Sequence, residues 1–215
     1  MSFFAVISLR VKYMSRNNRV FAKYRTGISR IIVVFLFLVL IFTRTPIESD
    51  FIKAILSNVG LFLITLCVFG RLWSSLYICG KKTARLVKEG PYSLIRNPLY
   101  LFSYLGVLGI SLSTENMFII ILLNAAFLAY YPFVVISEEK KLTQVHDEEF
   151  IQYLKQTPRF IPNSLKIKQP ETYEVHVRIF NNALSDAIWF YIAFIAIDFC
   201  KLLQLKGIIP FVVDI

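Results

Sequence analysis

Five long apolar runs, separated by short polar stretches, constrain the fold of this chain more than any other feature. The runs lie at residues 31–43, 54–70, 97–114, 116–137 and 187–205. A helix needs about 20 largely apolar residues to cross the ~30 Å hydrocarbon core of a bilayer. The second run can continue to residue 80, and the first spans only if its flanking arginines reach the interface. The pattern predicts an all-α, polytopic membrane bundle of about five transmembrane helices.

The composition excludes an ordinary soluble or disordered protein. Hydrophobic residues make up 56% of the chain and charged residues 18%, against about 45–50% and about 25% in soluble domains. The formal net charge of +10 could indicate a nucleic-acid partner. However, the basic residues alternate with apolar runs, which is typical of cations that face an anionic membrane leaflet. We therefore expect the bilayer as a partner, and no nucleic acid.

Cysteine and histidine give no sign of a metal centre. Cys67, Cys79 and Cys200 stand alone inside apolar stretches and are predicted to be small buried hydrophobic residues. The two histidines, His146 and His176, are 30 positions apart, which is too few and too distant for a histidine-based site. No metal ligand is predicted.

Basic residues between the runs predict the orientation of the chain in the membrane. Residues 1–30 carry seven Lys and Arg and no acid, and are expected to form an interfacial segment on the cytosolic side. The basic stretch 81–96 and the polar stretch 138–186 return to that side. The third and fourth runs are separated by Glu115 alone and should form an antiparallel helical hairpin. The polar chemistry is thus predicted at the cytosolic face.

The cytosolic stretch before the third run has the features of an anion-binding helix start. Gly90 precedes proline, which is a turn signal. Asn97 followed by Pro98 has the form of an N-cap with proline at the first helical position. The free N–H groups of such an end bind anions, and Arg96 beside it can bind a carboxylate. The alternative is a capped helix with an interfacial aromatic belt, which includes Tyr100.

The second cytosolic segment begins with an acidic pair. Glu138 and Glu139 follow the fourth run, and a bare acidic pair at a helix C-terminus opposes the helix dipole, which suggests a function. The alternative is that the adjacent lysines or lipid headgroups neutralise the pair. An apolar stripe over 142–154 predicts an amphipathic interfacial helix that ends at Thr157 and Pro158.

Together the two segments carry a family resemblance. The sequence GPYSLIRNPLY, followed by the glutamate pair, Phe150, Tyr153 and TPRFIP, resembles the isoprenylcysteine carboxyl methyltransferase and phospholipid methyltransferase superfamily, in its bacterial-type branch. The resemblance covers about residues 55–165 and implies methyl transfer from S-adenosylmethionine to a lipid or lipidated acceptor.

The resemblance also implies roles for individual residues. The paired-acid position and the R-x-x-P element would place Glu139 and Arg159 closest to the chemistry. Asn97 stands where the family usually has histidine. The residues implied to bind the cofactor are Gly90, Tyr92, Arg96, Asn97, Pro98, Tyr100, Glu138 and Glu139.

This interpretation divides the chain into four parts and gives an ordered set of functions. The parts are the basic segment 1–30, two membrane helices in 31–80, a methyltransferase core in 81–165 and an extension in 166–215 with one further membrane helix. The expected function is carboxyl O-methylation like that of the isoprenylcysteine enzymes, in a bacterial inner membrane. The alternatives are N-methylation of a phospholipid amine, a sterol-reductase-like NADPH oxidoreductase, and a module without turnover.

Overall fold

The computed structural model describes residues 43–44, 47–80, 85–208 and 213–214. The predicted interfacial segment 1–30 lies outside the described residues, and so does the first predicted span apart from Thr43. Four α-helices make up most of the described part, and a 3-10 turn spans Gly90–Ser93. The helices are α1 Asp50–Ile78, α2 Pro98–Ser113, α3 Met117–Gln156 and α4 Val177–Leu205.

The described part confirms the predicted helical membrane bundle. Within it, α1, α3 and α4 are long and apolar enough to cross a membrane, and α2 is a shorter apolar helix. The strand content is one parallel pair of two-residue strands, β1 Thr43–Arg44 and β2 Val213–Asp214. Two predicted boundaries change. The second span extends from Asp50 to Ile78, and α4 begins at Val177 rather than at residue 187.

The acidic pair does not lie at a helix end, so that part of the prediction was wrong. The helix that contains it runs past the pair to a kink at Asp147, with φ 40° and ψ −117°, and a second helical stretch of α3 then reaches Gln156. The chain between 138 and 146 keeps helical periodicity and contains neither glycine nor proline, so nothing ends the helix there. The predicted end at Thr157 is confirmed, because Thr157 is the C-cap of α3.

Helices α1 and α2 pack most closely, in an antiparallel arrangement. Glycines make this possible, because a Cβ atom on Gly60 would lie 2.7 Å from the carbonyl oxygen of Gly109. A Cβ on Gly109 would in turn lie 2.6 Å from the carbonyl oxygen of Gly60. Small residues at such an interface let the two backbones approach, which is how helices associate in lipid. Helix α4 joins them through a cluster of Ile64, Val68 and Ala187.

The hairpin of α2 and α3 forms as predicted. Its connection turns at Glu115, which has φ 56°, and the side chain of Asn116 caps α3 by accepting a hydrogen bond from the Ile119 N–H. The buried Glu115 carboxylate lies 2.6 Å from the Lys201 ammonium of α4, and the same ammonium lies 3.3 Å from Asp198. These two ion pairs of Lys201 tie the hairpin turn to α4.

Candidate active site

Gly90 fixes the loop that leads into α2. Its φ of 59° lies in the left-handed region, and a Cβ atom there would overlap the ring of Tyr77. The Gly90 N–H donates to the carbonyl oxygen of Lys168 at 2.8 Å. The hydroxyl of Ser93 accepts a hydrogen bond from the Lys168 N–H at 3.0 Å, so the loop is clamped between α1 and the segment that precedes α4. Among the predicted cofactor residues, Gly90 thus has a clear backbone role in holding this loop.

Asn97 begins α2 in the predicted position but uses its side chain differently. Pro98 is the first helical residue, and the Asn97 side chain makes no capping hydrogen bond. Instead, its Nδ2 donates to Oε1 of Glu139 at 3.2 Å, and the residue is 8% exposed. The motif segment before α2 therefore contacts the motif segment on α3 through this amide.

The Glu139 carboxylate is the centre of a charged cluster. The Arg159 guanidinium binds it bidentately through its Nε–Nη2 edge, from Nη2 to Oε2 at 2.6 Å and from Nε to Oε1 at 3.2 Å. The Nε of Arg96 lies 3.7 Å from the same Oε1. Two cations and one amide thus converge on a side chain that is 12% exposed. The hydrogen bond to Glu139 also raises the pKa of Arg159 further.

Two buried donors at this site have no hydrogen-bond acceptor among the described residues. They are the Tyr92 hydroxyl and the Nε of Arg96, whose 3.7 Å contact with Glu139 is too long for a hydrogen bond. Burial raises the pKa of Tyr92 well above its usual range, and the neighbouring Tyr153 and Glu138 raise it further. The Tyr92 hydroxyl therefore keeps its proton and is a donor without an acceptor. Leaving such groups unpaired is costly unless a ligand supplies the acceptor.

Glu138 differs from its neighbour in having an uncommitted carboxylate. It is half-buried, and within residues 47–80 and 85–208 no hydrogen bond or ion pair involves it. Successive helical residues point in directions about 100° apart. Because Glu139 is held by Arg159 and Asn97, Glu138 is the acid of the pair that is open to a ligand.

Aromatic rings follow the first turns of α2 below this cluster. Tyr100 contacts Tyr131 of α3 edge-on, with ring centroids 5.4 Å apart. Tyr131 in turn stacks on Phe127 at 3.8 Å, and Phe127 contacts Tyr104 at 5.4 Å. Tyr100 and Tyr104 thus share one face of α2, as their spacing predicts.

The segment after Asp147 closes over the loop before α2. Phe150 and Tyr153 are buried with Leu86, and Lys88 pairs with Glu149 at 2.7 Å. The Tyr153 hydroxyl donates to the carbonyl oxygen of Tyr92 at 2.7 Å. The sequence placed Tyr153 in the apolar stripe and in the family motif without a polar role, and its hydroxyl is what joins the two segments. The sequence signal for this buried contact was the spacing of two aromatic residues, Phe150 and Tyr153, three positions apart.

Replacing Tyr153 with phenylalanine is expected to lower the free energy of unfolding by about 1–2 kcal/mol, because the buried Tyr92 carbonyl loses its donor. Thermal unfolding of the purified protein in detergent measures the change. Tyr130→Phe is the matched control, since Tyr130 is 50% exposed. Equal stability of the two variants would mean that the Tyr153 bond does not hold the segment.

Four of the residues predicted for the site meet directly: Arg96, Asn97, Glu139 and Arg159. Tyr153 holds the preceding loop at Tyr92, and Pro98 supplies the helix start next to Asn97. The backbone N–H of Arg96 also donates to the carbonyl oxygen of Pro158 at 2.9 Å, which brings the R-x-x-P element into place. Gly90 lies in the loop before the cluster, where it contacts Lys168. Tyr100 lies in the first turn of α2, where it contacts Tyr131 of α3.

The fold and this cluster define a helical membrane protein with a charged site at one end of a helical hairpin. The sequence matches the family described as phospholipid methyltransferase over residues 62–149. The chain belongs to this family, which is part of the superfamily that its motifs resemble.

Two curated relatives match most of the chain. The nickel-cobalt-cadmium resistance protein NccN of Alcaligenes xylosoxydans xylosoxydans is 37% identical over 168 residues, which are 78% of each chain. The cobalt-zinc-cadmium resistance protein CzcN of Cupriavidus metallidurans is 33% identical over 193 residues, which are 90% of this chain and 89% of the relative. No solved structure matches the chain.

Proposed function

We propose that this protein is an integral membrane methyltransferase that uses S-adenosylmethionine and methylates a lipid or lipidated acceptor at the cytosolic face. The observation that carries the proposal is the Glu139 carboxylate, which holds Asn97 from one family motif and Arg159 from the other. The membrane fold and the family match support the class of enzyme, and the cluster supports the position of the site.

The donors and acceptors at the cluster fit the polar groups of this cofactor. Arg96 and the positive dipole end at the start of α2 suit a carboxylate. The open Glu138 carboxylate can accept hydrogen bonds from an amino group or a ribose diol. The unpartnered Tyr92 hydroxyl can donate a hydrogen bond to an acceptor atom of the cofactor. When bound, the cofactor supplies a sulfonium methyl group. The chain contributes alignment and a site with little water, as an in-line displacement requires.

We assign Glu139 and Arg159 different parts in this scheme. Glu139 is a positioning residue, because its carboxylate is already engaged by two side chains and lies near a third. Arg159 is 43% exposed and can turn part of its guanidinium towards the polar end of an acceptor. A carboxylate acceptor is ionised at neutral pH and needs no base. An amine acceptor must lose a proton, and Glu138 is then the available base.

Carboxyl methylation like that of the isoprenylcysteine enzymes and N-methylation of a phospholipid amine therefore remain two candidate reactions. The match to the phospholipid methyltransferase family favours the second. The same match gives no support to a sterol-reductase-like oxidoreductase.

The purified protein in nanodiscs is expected to bind S-adenosylmethionine and its demethylated product, and not NADPH, in a calorimetric titration. With isotope-labelled cofactor and mixed bacterial lipids, base-labile label indicates an ester and base-stable label on lipid indicates an amine. Binding of NADPH without binding of S-adenosylmethionine would overturn the proposal.

The names of the two relatives refer to resistance to nickel, cobalt, zinc and cadmium. We propose that this protein also contributes to metal resistance, through methylation of a membrane component. A metal-sensitive bacterial strain that expresses the wild-type protein should then grow at higher nickel or cobalt concentrations than one that expresses Glu139→Gln at equal level. Equal growth of the two strains would show that metal resistance does not depend on the methyltransferase site, and would contradict the proposal.

A further inference from the structure

Arg71 is a cation within a membrane-spanning helix. It lies seven residues before the end of α1 at Ile78, which places its Cα about 10 Å inside the helix end at 1.5 Å per residue. A charged residue at such a position is costly and normally faces the interior of the bundle, where it has a partner. The partner of Arg71 is therefore of functional interest.

The guanidinium lies between three helices. Its Nη1 donates to the Ser103 hydroxyl of α2, and its Cζ lies 5.5 Å from the centre of the Phe190 ring of α4. Its Nε is fully buried and has no hydrogen-bond acceptor among the described residues. Since Nη1 is engaged, the open edge is the one formed by Nε and Nη2, which is a fork suited to a carboxylate or a phosphate.

Among the residues that the structure describes, no carboxylate lies at this fork. Of its 14 Asp and Glu residues, 13 lie in residues 47–80 and 85–208, and none of the ion pairs described there includes Arg71. The segments outside the described residues contain no Asp or Glu. The remaining acid, Asp214, is paired through its backbone strand with Arg44, before the start of α1. The length of α1 separates it from Arg71 by about 30 Å.

The location of Arg71 relates it to the candidate active site. Ser103 lies five residues after Pro98, the first residue of α2, which places it about 7.5 Å deeper in the membrane than the helix start that carries the charged cluster. Arg71 therefore lies on the bilayer side of that cluster. An amphiphile that enters from the lipid would meet this cation before it reached the cluster.

We infer that Arg71 binds the anionic group of a membrane amphiphile, a carboxylate or a phosphate, through its Nε–Nη2 edge. In the reaction this would hold the acceptor beneath the cofactor, a part of the inference that rests on the proposed function. The binding itself does not depend on that function, because it follows from an intramembrane cation beside which the described part of the chain places no acid.

The two tryptophans of the chain give a direct measurement of this binding. Trp73 is two residues from Arg71, and Trp189 is adjacent to Phe190. Tryptophan fluorescence is measured in nanodiscs of phosphatidylcholine that contain dibromostearic acid, brominated phosphatidylglycerol or brominated phosphatidylcholine. The mole fraction of lipid that quenches half of the wild-type fluorescence is the measured quantity. For one of the two anionic lipids it should be lower than for the neutral lipid by about fivefold or more. Preference for the fatty acid identifies a carboxylate, and preference for phosphatidylglycerol identifies a phosphate.

Three variants separate this site from general attraction to anionic lipid. Arg71→Gln should lose the preference, Arg71→Lys should keep part of it, and Arg178→Gln, which removes an exposed cation at the start of α4, should keep all of it. The same preference in wild type and Arg71→Gln, or none in wild type, would overturn the inference. If Arg71→Gln does not fold, the wild-type preference and the Arg71→Lys variant still decide.

A titration with S-adenosylmethionine distinguishes this inference from the proposed function. Arg71→Gln should bind the cofactor like the wild type, because Arg71 does not belong to the charged cluster. Loss of cofactor binding in this variant alone, with the protein folded, would place Arg71 in the cofactor site and contradict the assignment. Absence of cofactor binding in the wild type would overturn the proposed function and leave the lipid result unaffected.

Discussion

Replacing Glu139 with glutamine is expected to lower methyl transfer at least about 100-fold and to weaken the binding of S-adenosylmethionine. Glutamine keeps the shape of the side chain but removes the charge that holds Arg159 and lies 3.7 Å from Arg96. The free energy of unfolding should fall by about 2 kcal/mol. This is less than for a fully buried pair, because the Arg159 side chain is 43% exposed and water screens it. Calorimetric binding, a labelled-methyl assay and thermal unfolding in detergent measure the three effects.

Two matched variants on α3 make this prediction specific. Glu148→Gln removes an exposed acid and should change neither binding nor stability. Glu138→Gln should weaken cofactor binding with little change in stability, because no described hydrogen bond or ion pair depends on its carboxylate. If Glu139→Gln keeps normal activity, or if Glu138→Gln is the less stable of the two, the division of roles within the pair is wrong.

Replacing Gly109 with leucine is expected to prevent α1 and α2 from packing, at a cost of about 3 kcal/mol or more. Even the first carbon of the new side chain would lie 2.6 Å from the Gly60 carbonyl oxygen and 2.9 Å from the Ile64 side chain. The obstacle is partly backbone, so a rotamer change cannot relieve it. Because α2 begins at the charged cluster, cofactor binding should be lost together with the fold. Size-exclusion chromatography with a heating series measures the loss.

Ala126→Leu is the matched control for this change in volume. Ala126 lies in the apolar part of α3, and its side chain is exposed, so leucine there should face lipid at no cost. A Gly109→Leu protein that elutes and melts like the control would show that the close approach of α1 and α2 is not required.

Much of the fold could be predicted because hydropathy is a local property of the chain. The apolar runs locate both ends of α1 and α4 and the start of α3 to within about ten residues, and the single residue Glu115 between two runs predicts the hairpin. The start of α2 was predicted to the residue, because proline at the first helical position leaves a distinct signal. The end of the fourth run was mistaken for the end of a helix, because a change from apolar to polar residues ends a membrane segment but not helical hydrogen bonding.

The candidate site could be predicted as a set of residues but not as an arrangement. The motifs indicated Arg96, Asn97 and both glutamates, with Glu139 closer to the chemistry, but they did not show that Glu139 is held by Arg159 and Asn97 while Glu138 stays open. Only the fold shows that the amide of Asn97 leaves its capping position for Glu139, and that Tyr153 joins the two segments through its hydroxyl.

The sequence by itself determined that the chain lies in a membrane, which stretches are helical, and which polar residues stand next to the membrane. These follow from composition and spacing, which act over a few neighbouring residues. The tertiary structure alone decided that α1 packs on α2 through facing glycines, that one acid of the pair holds two cations near it while the other remains open, and that the intramembrane cation Arg71 has no acid beside it. Such facts depend on distances between residues far apart in the chain, and these distances are set by the packing of whole helices.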